Sequence, residues 1–311
     1  MVEKEITVGM DGKYPLKGIL SLPGNYDEKV PAVVLVHGSG STDMDETVWG
    51  NKPFKDIANY LPSKGIAVLR YNKRTFVYGK QMRKEDASGI TVKKETIEDA
   101  ILAANLLRDD NRIDPSRIFI LGHSLGGMLA PRIDAEGGNF AGLIILAGSP
   151  RTLTDIIIDQ MEDQIPQLGK LLQIIGKKQV LSIKAKFERI DSMTEEEAKR
   201  LKIFGHLYAW YFKELAEHPA ADYLKAIEKP VLILQGGKDF QVLPEKDFDL
   251  YKKICAGKPN ISFKVYPDLN HLFMKSVYGR ERIKEAQKEY KTPQKVDLAV
   301  LDDIADWILR K

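Results

Sequence analysis

Three features of this 311-residue chain predict an α/β fold, a mostly parallel sheet flanked by helices. Apolar runs of strand length alternate with amphipathic stretches of helical period, the pattern of repeated strand–helix units. One run, residues 117–121, passes through Gly122-His123-Ser124-Leu125-Gly126 into a helical stretch beginning Met128-Leu129-Ala130. That strand–turn–helix context is what a G-x-S-x-G serine needs to be exposed at a strand end. Finally, His37-Gly38-Ser39-Gly40, Ser124, Asp239 and His271 each follow a predicted strand. In an open parallel sheet such strand ends share one edge, and that edge carries the site.

Taken in order, residues 3–8 and 16–22 read as an antiparallel hairpin at a sheet edge, turned near Asp11-Gly12. Residues 32–36 (Ala-Val-Val-Leu-Val) form a continuous apolar run, suited to a central strand covered on both faces. Phe54, Ile57, Ala58 and Leu61 make a helical stripe that Gly65 stops. Residues 66–71 are the next strand, followed by a polar loop with Lys73, Arg74, Phe76 and Tyr78. Residues 91–108 are helical, with Ile97, Ala100, Ile101 and Ala104 on one face. Strands at 117–122 and 142–148 follow. From 152 to 226 there is no strand signal, only helical stripes and a capping box at Thr194-Glu195-Glu196-Glu197. The chain therefore divides into a core of residues 1–150 and 227–311 and a helical insertion of residues 151–226. In the core, strands at 231–236 and 261–266, a helix near 244–255 and a closing helix at about 296–309 complete the pattern.

Composition excludes several classes. The charge is nearly balanced, 47 basic against 44 acidic residues, and the Lys-Lys pairs are scattered, so no nucleic-acid groove is expected. No apolar run approaches the length of a membrane span. A single cysteine, Cys255, allows neither an internal disulfide nor a cysteine zinc site. No basic and apolar leader opens the sequence, so a cytoplasmic location is expected. With no H-E-x-x-H and no G-x-G-x-x-G after a strand, neither a metal nor a dinucleotide cofactor is expected.

The chemistry follows from chain order. Ser…Asp…His is one of the three orders in which a serine triad occurs. Ser124 is the candidate nucleophile and His271 the general base that takes its proton. Asp239 would hold the imidazole tautomer, with Asp268, three residues before His271, as the rival. An oxyanion hole needs two N–H donors. Leu125 supplies one, after the nucleophile, and Ser39 the other, with Gly40 as second choice. Tyr208, Trp210, Tyr211 and Phe212 are candidates to line a substrate pocket, or else to dock the insertion onto the core.

These motifs, together with Asp43, Asp45-Glu46-Thr47, Asn51-Lys52-Pro53-Phe54, Arg70-Tyr71, Lys73-Arg74-Thr75 and Asn270-His271-Leu272-Phe273, resemble the α/β-hydrolases, in particular bacterial carboxylesterases similar to the Thermotoga esterase D group. The resemblance extends from about residue 15 to the end. It implies an eight-stranded sheet, a helical cap over the site and hydrolysis of carboxylic esters. Relatives of that group usually read Tyr-Asp-Lys-Arg where this chain has Tyr71-Asn72-Lys73-Arg74. The expected partner is a small-molecule ester, and a homo-oligomer is compatible with the sequence. The competing readings are a serine peptidase or amidase on the same fold and a non-catalytic binding protein that keeps it.

Overall fold

The computed structural model describes residues 1–25 and 27–311. Ten strands occur in chain order among them: β1 (Val2–Val8), β2 (Leu16–Leu22), β3 (Val30–Val36), β4 (Ala67–Tyr71), β5 (Ile113–His123), β6 (Gly142–Leu146), β7 (Lys202–Phe204), β8 (Leu207–Tyr208), β9 (Val231–Gly236) and β10 (Ile261–Tyr266). Eight make one sheet in the order β1-β2-β4-β3-β5-β6-β9-β10. The β1–β2 and β2–β4 pairs are antiparallel and the other five are parallel.

The strands are apolar throughout because both faces of the sheet are covered, and alternation decides which side each residue serves. Val34, Val36, Ile118, Ile120, Leu143 and Ile145 pack on one side. There they meet α3 (Glu98–Arg108) and α4 (Leu125–Ile133). Val33, Leu35, Phe119, Leu121, Ile144 and Leu146 pack on the other side. Their partners are α1 (Pro53–Tyr60) and the C-terminal helix Leu298–Leu309. Fully burying one such side chain contributes about 1.5–3 kcal/mol.

Between β6 and β9 the chain leaves the sheet and builds α5 (Leu153–Gln164), α6 (Lys170–Phe187), α7 (Glu195–Arg200), α8 (Ala209–Ala216) and α9 (Ala220–Ala226). Thr194 caps α7 as its sequence predicts, its hydroxyl accepting from the Glu197 N–H while the Glu197 carboxylate accepts from the Thr194 N–H. The insertion is not strand-free, however. β7 and β8 form a small antiparallel ribbon that turns at Gly205, where φ is +56°. Two strands of three and two residues are too short to leave a period in the sequence. Buried polar contacts tie the insertion to the core. Arg132 of α4 pairs with Glu214 of α8, and the Tyr211 hydroxyl donates to Glu95 Oε1 at 2.7 Å.

The segment after β4, expected to be a polar loop, is helix α2 (Arg74–Asp86). It shows no apolar stripe, and only Arg74, Gly79 and Met82 are buried. What holds it is charge. Arg74 Nη2 lies 2.6 Å from Asp99 Oδ1 and its Nε 3.0 Å from Asp99 Oδ2, with Glu98 at 3.0 Å on the third nitrogen. Burial pushes the Asp99 carboxyl up to about 6, and the Arg74 guanidinium works against that rise. After β9 come α10 (Asp249–Ile254) and, before the C-terminal helix α12, a short helix α11 (Ile283–Glu289) that has no counterpart in the sequence reading. Removing one partner of a buried pair strands the other charge, so Arg74→Ala is expected to cost about 3–5 kcal/mol in urea denaturation. Arg74→Met/Asp99→Leu should recover most of that loss. A single variant as stable as the wild type would show that the pair does not anchor α2.

Candidate active site

Ser124 joins β5 to α4 with φ +53° and ψ −118°, a conformation that L residues rarely adopt. Such a backbone costs about 1–3 kcal/mol and persists only where its surroundings over-determine it. Here the Ser124 N–H donates to Leu146 O at 2.9 Å, and Ser124 O accepts from Met128 N–H at 3.0 Å. Glycine makes the turn close enough. A β-carbon on Gly122 would lie 2.2 Å from Gly126 O, and one on Gly126 would lie 2.2 Å from Val36 O. Strand β5, helix α4 and strand β3 therefore meet backbone against backbone, and the serine is pushed out at the sheet edge.

The same edge receives two later loops. Asp239 follows β9 and is buried. Its Oδ1 accepts from the N–H groups of Gln241 (2.8 Å) and Val242 (3.0 Å). Its Oδ2 accepts from Gln235 Nε2 (2.9 Å) and stands 2.7 Å from His271 Nδ1. A carboxylate can only accept, so Nδ1 carries the proton and Nε2 keeps a free lone pair. His271 follows β10, in a loop held by Asn270, whose side-chain oxygen accepts from Leu272 N–H and Met274 N–H. The imidazole stands beside the residue preceding Ser124, with His123 and His271 ring centroids 4.7 Å apart. Among the described residues the Ser124 hydroxyl makes no hydrogen bond, so it is free to turn. Asp268, the rival acid, has an exposed side chain and does not bond His271.

The loop after β3 faces Ser124 from the other side: a β-carbon on Gly38 would lie 3.1 Å from Ser124 Cβ. Both peptide groups flanking Gly38 are pinned. Its N–H donates to Glu46 Oε1 at 2.7 Å, and its carbonyl accepts from the buried Lys73 ammonium at 2.8 Å. That carbonyl belongs to the peptide that carries the Ser39 N–H. In a trans peptide the two point in opposite directions, so Lys73 turns the Ser39 N–H away from itself. Among the described residues neither the Ser39 nor the Leu125 N–H is spent on a protein acceptor, and the same holds for Gly40. Ser39, Gly40, Ser124 and Leu125 all border one cavity of about 570 Å³. His37, by contrast, is spent on structure. Its Nε2 donates to Asp43 O, and burial pushes its imidazole down to about 4, so it stays neutral.

The insertion forms the far wall of the cavity, which is mainly apolar. Tyr208, Tyr211 and Phe212 line it as the sequence suggests. Trp210 does not: one residue along α8 is a turn of about 100°, which carries its ring away to the Lys199 ammonium, 5.6 Å from the ring centroid. The sequence reading missed Leu153, Ile156, Ile157 and Met161 of α5, whose helical stripe gave no sign of which side faced the cavity. It also assigned no role to Lys73 or Glu46. Both stand among the residues that carry the family resemblance, with nothing in the sequence to show what either side chain meets. Among the described residues no group of three or more His, Cys, Asp or Glu could hold a metal, and no helix is long and apolar enough to cross a membrane.

Residues 33–281 match the model of the alpha/beta hydrolase family. Over 309 residues the chain is 41% identical to Esterase EstD of Thermotoga maritima, covering 99% of this chain and 68% of that protein. Solved structures with a similar fold include an esterase of Pyrococcus furiosus, 15% identical with TM-score 0.56, covering 99% of this chain and 91% of that one. Another is Est1E of Butyrivibrio proteoclasticus, 18% identical with TM-score 0.55, covering 92% and 96%. The backbone contact at Gly126 yields a test. Gly126→Ala has to displace Val36 or α4, so thermal unfolding should fall by on the order of 5–10 °C, corresponding to about 3 kcal/mol. An unchanged midpoint would show that the turn has slack.

Proposed function

The chain belongs to the α/β-hydrolase family, and from that premise we propose that it is a serine carboxylesterase that hydrolyses short- to medium-chain esters through an acyl-enzyme on Ser124. The observation that carries the reading is the buried Asp239–His271 bond of 2.7 Å, in loops that leave the same edge of the sheet as a serine held at φ +53°. The family relative named an esterase supports the same conclusion.

In this reading the ester carbonyl lies between Ser124 and the free N–H groups of Leu125 and Ser39. His271 Nε2 accepts the Ser124 proton as Oγ attacks the carbonyl carbon, and Asp239 stabilises the imidazolium that forms. The carbonyl oxygen gains charge and is held by the two N–H groups, each worth about 2.7–4 kcal/mol to the transition state. His271 then returns the proton to the departing alcohol. A water, deprotonated by the same nitrogen, attacks the acyl-enzyme, and His271 returns that proton to Ser124 Oγ as the acid leaves. The apolar wall from α5 and α8 suits an acyl chain, and a cavity of about 570 Å³ leaves room beyond a two-carbon acid. A small-molecule ester is the partner this site takes. A lone, buried cysteine suits a reducing compartment such as the cytoplasm.

Two measurements test the reading. With p-nitrophenyl esters from acetate to laurate, the wild type should turn over the short and medium chains best. Ser124→Ala should lose at least about 10⁴-fold in kcat. Equal turnover by both would remove Ser124 as nucleophile, and amide turnover matching that of the ester with the same acyl group would favour a peptidase. Asp239→Asn should lose about 10⁴-fold in kcat through the wrong imidazole tautomer, while Asp268→Asn stays near wild type. The reverse pattern would move the acid to Asp268.

A further inference from the structure

Glu46 sits in the loop after β3 with φ +52°, a left-handed backbone on a buried non-glycine residue. The loop is built to hold it there. Asp43 accepts from the N–H groups of Asp45 and Thr47 and from the Thr47 hydroxyl, and the Glu46 N–H donates to Asp43 O at 3.0 Å. Strain of this kind, kept in place by surrounding bonds, marks a residue whose direction matters.

The Glu46 carboxylate has two addresses. Oε1 accepts from the Gly38 N–H at 2.7 Å, and Oε2 stands 3.0 Å from His123 Nδ1. The other nitrogen of His123, Nε2, lies 2.9 Å from the carbonyl oxygen of His271. A carbonyl can only accept, so Nε2 is protonated. Three parts of the site therefore converge on one buried pair: the loop with Ser39, the residue before Ser124, and the backbone of His271. We propose that Glu46, acting through His123, is a positioning residue that clamps the oxyanion loop, the nucleophile turn and the base loop into one geometry. The proposal rests on the serine-esterase reading above.

Electrostatics agree with the geometry. Burial opposes charge on both groups. The Glu46 carboxylate nonetheless holds the His123 imidazole above its ordinary value, and His123 holds Glu46 below its own. Both shifts favour the charged forms of two groups that stand 3.0 Å apart, in a place where either charge alone would be costly.

The test separates positioning from folding. Replacing both partners by apolar groups of similar shape removes the clamp without stranding a charge, leaving only the neutral Gly38 N–H and His271 carbonyl without these partners, so Glu46→Leu/His123→Phe should still fold, with a melting temperature within about 10 °C of wild type. Its kcat should nevertheless fall on the order of 10²-fold, the cost of a displacement of about 1 Å, while KM stays within about threefold. An alkyl boronic acid, which mimics the tetrahedral adduct on Ser124, should bind more weakly by a similar factor. Glu46→Gln should rescue. Its amide oxygen still accepts from Gly38 N–H, and its NH₂ can donate to an unprotonated His123 Nδ1, leaving the bond to His271 intact. That variant should keep kcat within about fivefold of wild type. A folded double variant with wild-type kcat would overturn the role, as would a loss that falls wholly on KM or a Glu46→Gln no better than Glu46→Leu. If Ser124→Ala abolishes turnover and the Glu46 variants do not reduce it, the clamp alone falls. Turnover that survives Ser124→Ala would remove the clamp and the esterase reading together.

Discussion

At Gly126 the helix after Ser124 comes so near to β3 that the space for a methyl group is already occupied by Val36 O. The other distances in the site depend on that contact. Because α4 is pressed against the C-terminal end of β3, the turn from β5 must be tight, and a tight turn forces Ser124 into its left-handed backbone. The same pressure brings the loop after β3 alongside the serine, where it can offer the Ser39 N–H. A looser junction would leave each of these groups present but separated. The contact is one of excluded volume, so it acts before any substrate binds.

The polar groups around the junction are buried, and unpaired buried polar groups are expensive. The protein meets much of this cost with backbone partners. Lys73 takes the Gly38 carbonyl, Asn51 Nδ2 takes the Tyr290 carbonyl, and Asp239 takes two N–H groups of its own turn. Side chains in such a web have little rotamer freedom left. The sheet side of the site is thus held by these bonds, and its other wall is the helical insertion, whose contribution to the cavity is mostly apolar.

How much of this could be read from the sequence follows from the range of the forces involved. The parallel core was legible because strands buried on both faces must be apolar at every position, as in Val30–Val36. The strand-end positions of Ser124, Asp239 and His271 were legible because strand runs can be read without any knowledge of side-chain direction. Helix α2 was not, because its anchor is the Arg74–Asp99 pair, 25 residues apart, and not an apolar stripe. The β7–β8 ribbon was too short to show a period. Trp210 was misassigned to the cavity because an aromatic cluster says nothing about which rotation of α8 faces inward. Glu46 and Lys73 stood in view as charges, but their function depends on which carbonyl or N–H each meets across the fold.

The insertion leaves the sheet after β6 and rejoins it at β9, and these two strands are neighbours paired from Leu143–Val231 to Leu146–Leu234. The two strands it connects are thus fixed side by side, the chain leaving at the C-terminal end of β6 and re-entering at the N-terminal end of β9, and the sheet does not register how long the excursion between them is. Lengthening such a loop costs only about 0.6 kcal/mol per doubling. Heritable change can therefore rewrite the far wall of the cavity, by recombination or by gradual insertion and deletion, while the junction at Gly126 is inherited untouched. In evolutionary terms the chain is a conservative chassis carrying a replaceable part. Lineages that share the Ser124 edge are free to diverge in what they admit to it.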